Sequence, residues 1–301
     1  MGGSKMRVFA TTSERGLNQE ILPMRLYHKA KKLGIWDPKE LDFTQDREDW
    51  KTLTTDQREL ILKLCSLFQA GEEAVTRDLL PLIRVVASEG RLEEEMYLTT
   101  FLFEEAKHTE SFRLFLDEVA EYHGDLAIYH KENYKKVFYE YLPQAMERLI
   151  HDPSPEAQAE ASVTYNMIVE GVLAETGYHG FSNALGRQGK MPGLLKAVEY
   201  LKRDESRHIG YGTYLLSRLI AENENVWKTI NNKMGELLPY AIGVVNELLG
   251  EGPHPFGLDP EEFVQYATKQ FQIRMDVLER AKDRSVDEIY GISEQEIGVL
   301  S

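Results

Sequence analysis

Two Glu-x-x-His pairs lie one hundred residues apart in this chain, and each follows a lone glutamate at nearly the same distance. The first set is Glu72 with Glu105 and His108, in FEEAKH; the second is Glu170 with Glu205 and His208, in RDESRH. The lone glutamate precedes its pair by 33 residues in the first set and by 35 in the second. A Glu and a His three residues apart share one face of a helix and can reach one metal ion. A lone Glu from a neighbouring helix completes the donor set. The chain is thereby constrained to a bundle whose long helices bring four carboxylates and two imidazoles to one level.

A single Glu-x-x-His carries little weight in a chain with 8 histidines and 50 acidic residues. A third occurrence, Glu251 and His254, flanks Gly252 and Pro253; it reads as a loop coincidence, because Pro breaks the helix that the pairing needs. The other two sets stand apart by their repeated spacing and by their setting, since both replace apolar residues on otherwise apolar stripes. The bland reading is a buried ion-pair network. It lacks an internal countercharge, because Lys107 and Arg207 point off the ligand face by spacing. Without a cation, each unpaired carboxylate in an apolar site would cost several kcal/mol. Carboxylates and imidazoles with no thiolate favour iron and manganese over zinc or copper(I).

Composition narrows the function classes. A formal charge of −15 argues against a nucleic-acid partner and against an anionic membrane surface. An apolar content of 42% is enough for a sizeable core, and 301 residues can form one unit if the helices are long. The single Cys65 excludes an internal disulfide and suits a reducing, cytoplasmic compartment. No apolar signal segment opens the chain, and no run approaches the ~18 apolar residues of a membrane span. The opening MGGSK reads as an expression scar.

The patterning is helical throughout, with no convincing strand. After a mixed region at 25–50 with a loop around Gly34 to Asp42, Thr54 and Gln57 form a capping-box signature opening a helix over 55–87, kinked near its end by Pro81. Further helices are expected at 91–122, 131–150, 155–185, 193–222, 224–250 and 259–283, with a mobile tail beyond. The ligands fall near the middle of the first, second, fourth and fifth helices, and the third serves as a crossover. The predicted fold is therefore all-α, one ferritin-like four-helix di-metal carboxylate bundle with additional helices.

The stretch LDFTQDREDWKTLTTDQREL and the ligand segments AGEEAVT, FEEAKHTESF, SVTYNMIVEG and DESRH resemble the small, radical-generating subunit of ribonucleotide reductase. They resemble still more closely the ligand-binding oxidases of the same superfamily, from about residue 25 to 280. The resemblance implies a manganese held by Glu72, Glu105 and His108 and an iron held by Glu170, Glu205 and His208. It implies dioxygen activation, a long-chain fatty acid with its carboxylate on the metals, a homodimer, and an ether bond from the Val75 Cβ to the Tyr165 oxygen. It also implies an electron path in which Trp50 and Asp204 connect to His108.

Read from the residues alone, some of these assignments stay open. Val75 lies three residues after Glu72 on the same face, and without the resemblance it is a core valine. Tyr165 lies five residues before Glu170, which is poor same-face spacing; either the seam is wide there or the helix bulges, and a buried, hydrogen-bonded tyrosine is the plain reading. Trp50 reads equally as a packing aromatic, and Asp204 as a solvated helix charge. A reductase subunit is the main competing function. Phe112 stands where tyrosyl-radical members carry tyrosine, and the tail GISEQEIGVLS, with Tyr290 as the last tyrosine, departs from the docking peptide such subunits need. A di-metal lipid-binding protein without turnover is the other alternative.

Overall fold

A computed structural model describes residues 9–250 and 254–298, and within them the chain is helical with no strand. Residues 1–5, read above as a scar, and Glu251 of the third Glu-x-x-His lie outside the described residues. His254 is extended (φ −97°, ψ 136°) ahead of a single short turn, as the loop reading requires.

Helices α1 (Leu22–Leu33), α2 (Thr44–Thr52), α3 (Thr55–Asp78), α4 (Leu80–Ser88) and α5 (Leu92–Glu118) come first. Next, α6 (Glu132–Lys135) and α7 (Leu142–Arg148) are joined by π-helical backbone over Lys136–Tyr141. Likewise, α8 (Pro155–Ser162) and α9 (Glu175–Ala184) are joined by a longer π-helical stretch, Val163–Ala174. The remaining helices are α10 (Pro192–Glu222), α11 (Val226–Leu249), α12 (Pro260–Glu279) and α13 (Val286–Tyr290). The rods α3, α5, α8–α9 and α10 make the ferritin-like four-helix core. Helix α1 packs on α5 and α10, and α11 and α12 cover the π-helical stretch.

Local chemistry sets the ends of the ligand-bearing helices. Thr54 accepts the Gln57 amide at 3.2 Å while the Gln57 side chain accepts the Thr54 amide at 3.0 Å, closing the expected capping box on α3. Pro81 lacks a backbone donor, and the chain turns at Leu79 into a separate α4. At the start of α10, Asp46 accepts from the Gly193 and Leu194 amides at 2.8 and 2.7 Å, placing a carboxylate on the positive helix end. Past Asp283 the chain forms α13 and buries Ile289, Ile292 and Ile297, because these apolar residues cover α10 and its neighbours.

Candidate dinuclear metal centre

The six carboxylates and imidazoles of the repeated pattern meet in one buried chamber. Nδ1 of His108 lies 3.5 Å from Glu72 Oε2, 3.5 Å from Glu105 Oε2 and 3.3 Å from Glu205 Oε1. Nδ1 of His208 lies 3.3 Å from Glu105 Oε1, 3.6 Å from Glu170 Oε1 and 3.6 Å from Glu205 Oε2. Glu105 and Glu205 thus reach toward both rings. The donor atoms fall into two adjacent groups, Glu72, Glu105, His108 and Glu205 in one, and Glu105, Glu170 and His208 in the other. Either group could hold a cation; Glu105 belongs to both, and Glu205 belongs to the first while its other oxygen reaches toward His208.

The unsatisfied atoms locate the missing charge. His108 Nδ1, His208 Nδ1, Glu105 Oε2, Glu170 Oε1 and Glu205 Oε2 are buried without a hydrogen-bond partner among the described residues. Three of these carboxylates are anchored through their other oxygen. Tyr165 donates to Glu105 Oε1 at 3.1 Å, Asn166 to Glu170 Oε2 at 2.9 Å, and Tyr178 to Glu205 Oε1 at 3.5 Å. One oxygen of each is tied down and the other is free, which is the arrangement a metal would complete. The protein approaches closely to set these anchors: a Cβ at Gly212 would fall 2.2 Å from the Asn166 side chain.

Electrostatics point the same way. Burial pushes Glu72 and Glu170 well above the ordinary carboxylate range. Burial works against protonating the imidazoles. Even so, the surrounding carboxylates, Asp204 foremost for His108 and Glu104 for His208, hold both well above their ordinary value. Burial also opposes ionising Glu105, but the two imidazoles beside it bring it below the carboxylate range. The chamber therefore balances its acids with protons, and cations binding there would displace them.

An outer layer repeats the inner pattern. In both motifs an acid stands one residue ahead of the ligand glutamate, and each such acid serves the histidine of the other motif. Asp204 lies 3.4 Å from Nε2 of His108, and Glu104 accepts from Nε2 of His208 at 2.9 Å. Fixing Nε2 in this way turns Nδ1 inward. Lys107 and Arg207, each one residue before its histidine, are buried in this layer. Arg207 donates to Glu104 and to Asp204, both at 2.5 Å, and Lys107 lies 3.3 Å from Asp204. Asp204 is fully buried, so it is no solvated helix charge; against the cost of burial, its hydrogen bond to His108, with Arg207 and Lys107 beside it, holds it below the ordinary carboxylate range.

The aromatic on Asp204 is Trp36 and not Trp50. Trp36, in the turn after α1, donates its indole N–H to Asp204 Oδ2 at 2.8 Å and stacks near His108, with ring centroids 6.3 Å apart. Trp50, on α2, packs edge-on against Phe115 beneath the Arg58 guanidinium, away from this network. Spacing along the chain could not separate the two indoles. Glu104 was missed as well, although the paired acids at 104–105 and 204–205 carry its signal.

The π-helical stretch answers the spacing of Tyr165. A wider turn brings residues five apart onto one face, so Tyr165 and Glu170 both point into the chamber. The Tyr165 hydroxyl also lies 3.3 Å from the Val75 carbonyl oxygen. Phe112 stacks on Phe68 with centroids 4.9 Å apart, so no phenol occupies that place. Beside the chamber opens a narrow, mostly apolar cavity. Its apolar wall includes Leu64, Phe68, Gly71, Leu173 and Leu248, and it reaches Val75, Glu72, Glu105, Glu170 and Glu205.

A family model described as ribonucleotide reductase, small chain, matches residues 24–275. An R2-like ligand-binding oxidase with aerobically reconstituted Mn/Fe cofactor, after a long soak, is 40% identical with a TM-score of 0.86; the match covers 91% of this chain and 98% of that one. A tyrosine-to-phenylalanine variant of such an oxidase, also reconstituted aerobically with Mn/Fe, is 41% identical over 90% of this chain and 98% of its own, with a TM-score of 0.85. A valine-to-alanine variant reconstituted anaerobically gives the same figures.

Proposed function

Because the chain belongs to the ribonucleotide reductase small-chain family and is similar over 90% of its length to an R2-like ligand-binding oxidase, we propose that it is a dioxygen-activating manganese/iron oxidase. In this reading it holds a long-chain fatty acid with its carboxylate at the metals and joins Val75 to Tyr165 by an ether bond. Glu72, Glu105 and His108 would hold the manganese and Glu170, Glu205 and His208 the iron, with Glu105 and Glu205 shared. When bound, the metals supply the redox chemistry that makes dioxygen an oxidant of C–H bonds.

The observation that carries the reading is the position of the Tyr165 phenol, between Glu105 at 3.1 Å and the backbone of Val75 at 3.3 Å. Burial keeps this phenol protonated, with its proton aimed at Glu105. Ether formation removes one hydrogen from the Val75 Cβ and one from the phenol, forms one C–O bond, and delivers two electrons and two protons to the oxidant. In this reading the acyl chain lies along the apolar cavity beside Glu72 and Glu170, whose wall carries almost no polar group to compete for it. Asp204 and Trp36 offer the electron path to His108. A homodimer in a reducing, cytoplasmic compartment belongs to the same reading, the latter in keeping with the single Cys65; among the described residues no helix is long and apolar enough to cross a membrane.

The test is to load the chain with both metals without air, then admit air, measuring metal content and intact mass at each stage. One manganese and one iron per chain, with two hydrogens lost at Val75 and Tyr165, is the expected result. Two metals without the mass loss would remove the cross-link and favour a reductase subunit. A mass loss without any repeated turnover would favour a lipid-binding protein that modifies itself once. No metal would overturn the proposal.

A further inference from the structure

Phe101 lies flat against the ring of His208, with centroids 3.7 Å apart and planes 9° from parallel. Behind it runs a row of fully buried tyrosines leading away from the chamber. Tyr97 is 6.1 Å from Phe101, Tyr211 is 5.2 Å from Tyr97, and Tyr214 is 6.3 Å from Tyr211. Tyr214 lies on α10, against which α13 packs, and there Arg91 donates to the hydroxyl of the partly buried Tyr290 at 3.4 Å.

The middle member of the row is chemically distinct. Tyr211 donates to Glu94 Oε2 at 3.1 Å, and Glu94, itself buried, has its other oxygen 3.4 Å from Arg218. The hydroxyls of Tyr97 and Tyr214 are buried with no hydrogen-bond partner among the described residues. Packing does not account for this set. Phenylalanine would fill the same space and remove two unsatisfied hydroxyls, and a buried carboxylate is costly to keep. Phenols beside an acid are, however, suited to losing an electron, because the acid can take the proton released.

We propose that Tyr211, with Glu94 as its proton acceptor, is a redox site joined to the metal centre through Tyr97 and Phe101, and that it drains oxidising equivalents toward Tyr290 when no C–H bond is in place to receive them. In the outward step the Tyr211 O–H bond breaks, its proton passes to Glu94 Oε2, and one electron passes by way of Tyr97 to the dioxygen-oxidised centre, which is reduced by one electron. A one-electron reductant of the thiol class at the surface then restores the electron through Tyr290 and Tyr214, and Glu94 returns the proton. The inference rests on dioxygen activation at the centre and is independent of the fatty acid.

The experiment uses full-length protein loaded with manganese and iron and already exposed once to air, so that any cross-link has formed. It is reduced again without air, mixed with dioxygen, freeze-quenched and examined by electron paramagnetic resonance, with metal content and dioxygen uptake recorded on the same sample. The expected result is a tyrosyl signal that narrows when ring-deuterated tyrosine is incorporated and that is lost in Tyr211→Phe and in Tyr97→Phe. Tyr97→Phe removes only an unpartnered hydroxyl, so a structural role alone would leave the signal unchanged. Dioxygen uptake without a tyrosyl signal, or a signal that survives either substitution with both metals bound, overturns the relay while leaving the oxidase reading intact. No dioxygen uptake overturns both.

Discussion

Glu104 and His208 come from different Glu-x-x-His segments, yet the ring donates Nε2–H to this carboxylate at 2.9 Å while Glu105, the next residue, lies 3.3 Å from Nδ1 of the same ring. Two consecutive acids on α5 thus address both edges of an imidazole on α10. Glu104→Gln keeps an acceptor for the ring but removes the charge that raises its basicity, and leaves Arg207 with one fewer anionic partner. Metal affinity at the His208 position is expected to fall by about 10- to 100-fold, with the His108 position less affected. Competitive chelator titration checks this; unchanged affinity would mean that stacking on Phe101 alone orients the ring.

Trp36 and Trp50 should separate cleanly. Trp36→Phe removes the donor to Asp204 and should slow reduction of the oxidised centre by an external electron donor while both metals stay bound. Trp50→Phe should leave that rate unchanged and cost about 1 kcal/mol through lost packing on Phe115. Stopped-flow reduction of the two variants side by side measures the difference. The reverse order of rates would return the electron path to Trp50.

Gly71 lines the cavity, and a Cβ there would meet the Phe138 ring at 3.4 Å. Gly71→Phe would place a phenyl ring in the acyl space, with an overpacking cost of about 1–3 kcal/mol. Both metals should still bind, because no ligand moves. Lipid extracted from the purified variant should be lost relative to the parent. Retention of the same acyl chain would show that the ligand lies elsewhere.

Asp78 closes α3, and burial pushes its carboxyl up to about 6, with Arg77 opposing and Glu147 adding to the rise. A carboxylate at the negative end of a helix is also unfavourable. The folded value lies above the unfolded one, so this group's contribution is favourable at low pH and is lost as pH rises through the folded value. Asp78→Asn should therefore stabilise the protein by about 1 kcal/mol near pH 7.5, after allowing for solvent screening, and by less near pH 4.5. Thermal melts at the two pH values decide it; a gain independent of pH would point to packing and not to charge.

The clustering of the six candidate ligands was readable because a three-residue step on an α-helix returns to the same face, and because the pattern occurs twice. Their outer partners were harder. Asp204 and Glu104 sit about 100° from the ligand glutamates beside them, and only the three-dimensional crossing of α5 and α10 delivers each to the opposite histidine. Trp36 was invisible because a residue in a turn has no periodicity to place it. The helix at the tail was unreadable for a related reason: Ile289, Ile292 and Ile297 are too sparse to declare a buried face, though α10 supplies one. Tyr165 shows the opposite case: its misfit with α-helical spacing left a wide seam or a bulge open, and the π-helical backbone is the second.

That altered backbone makes the pairing of phenol and metal-site carboxylate a matter of register. In an ordinary α-helix, residues five apart stand about 500° around the axis from each other, which leaves them on different sides. The π-helical backbone over Val163–Ala174 absorbs the surplus residue. Deleting one codon between Tyr165 and Glu170 would put tyrosine and glutamate four apart and restore their shared face on a plain α-helix. An ancestor lacking that residue could have held the same two side chains without the bulge, and a single in-frame insertion would then have created it.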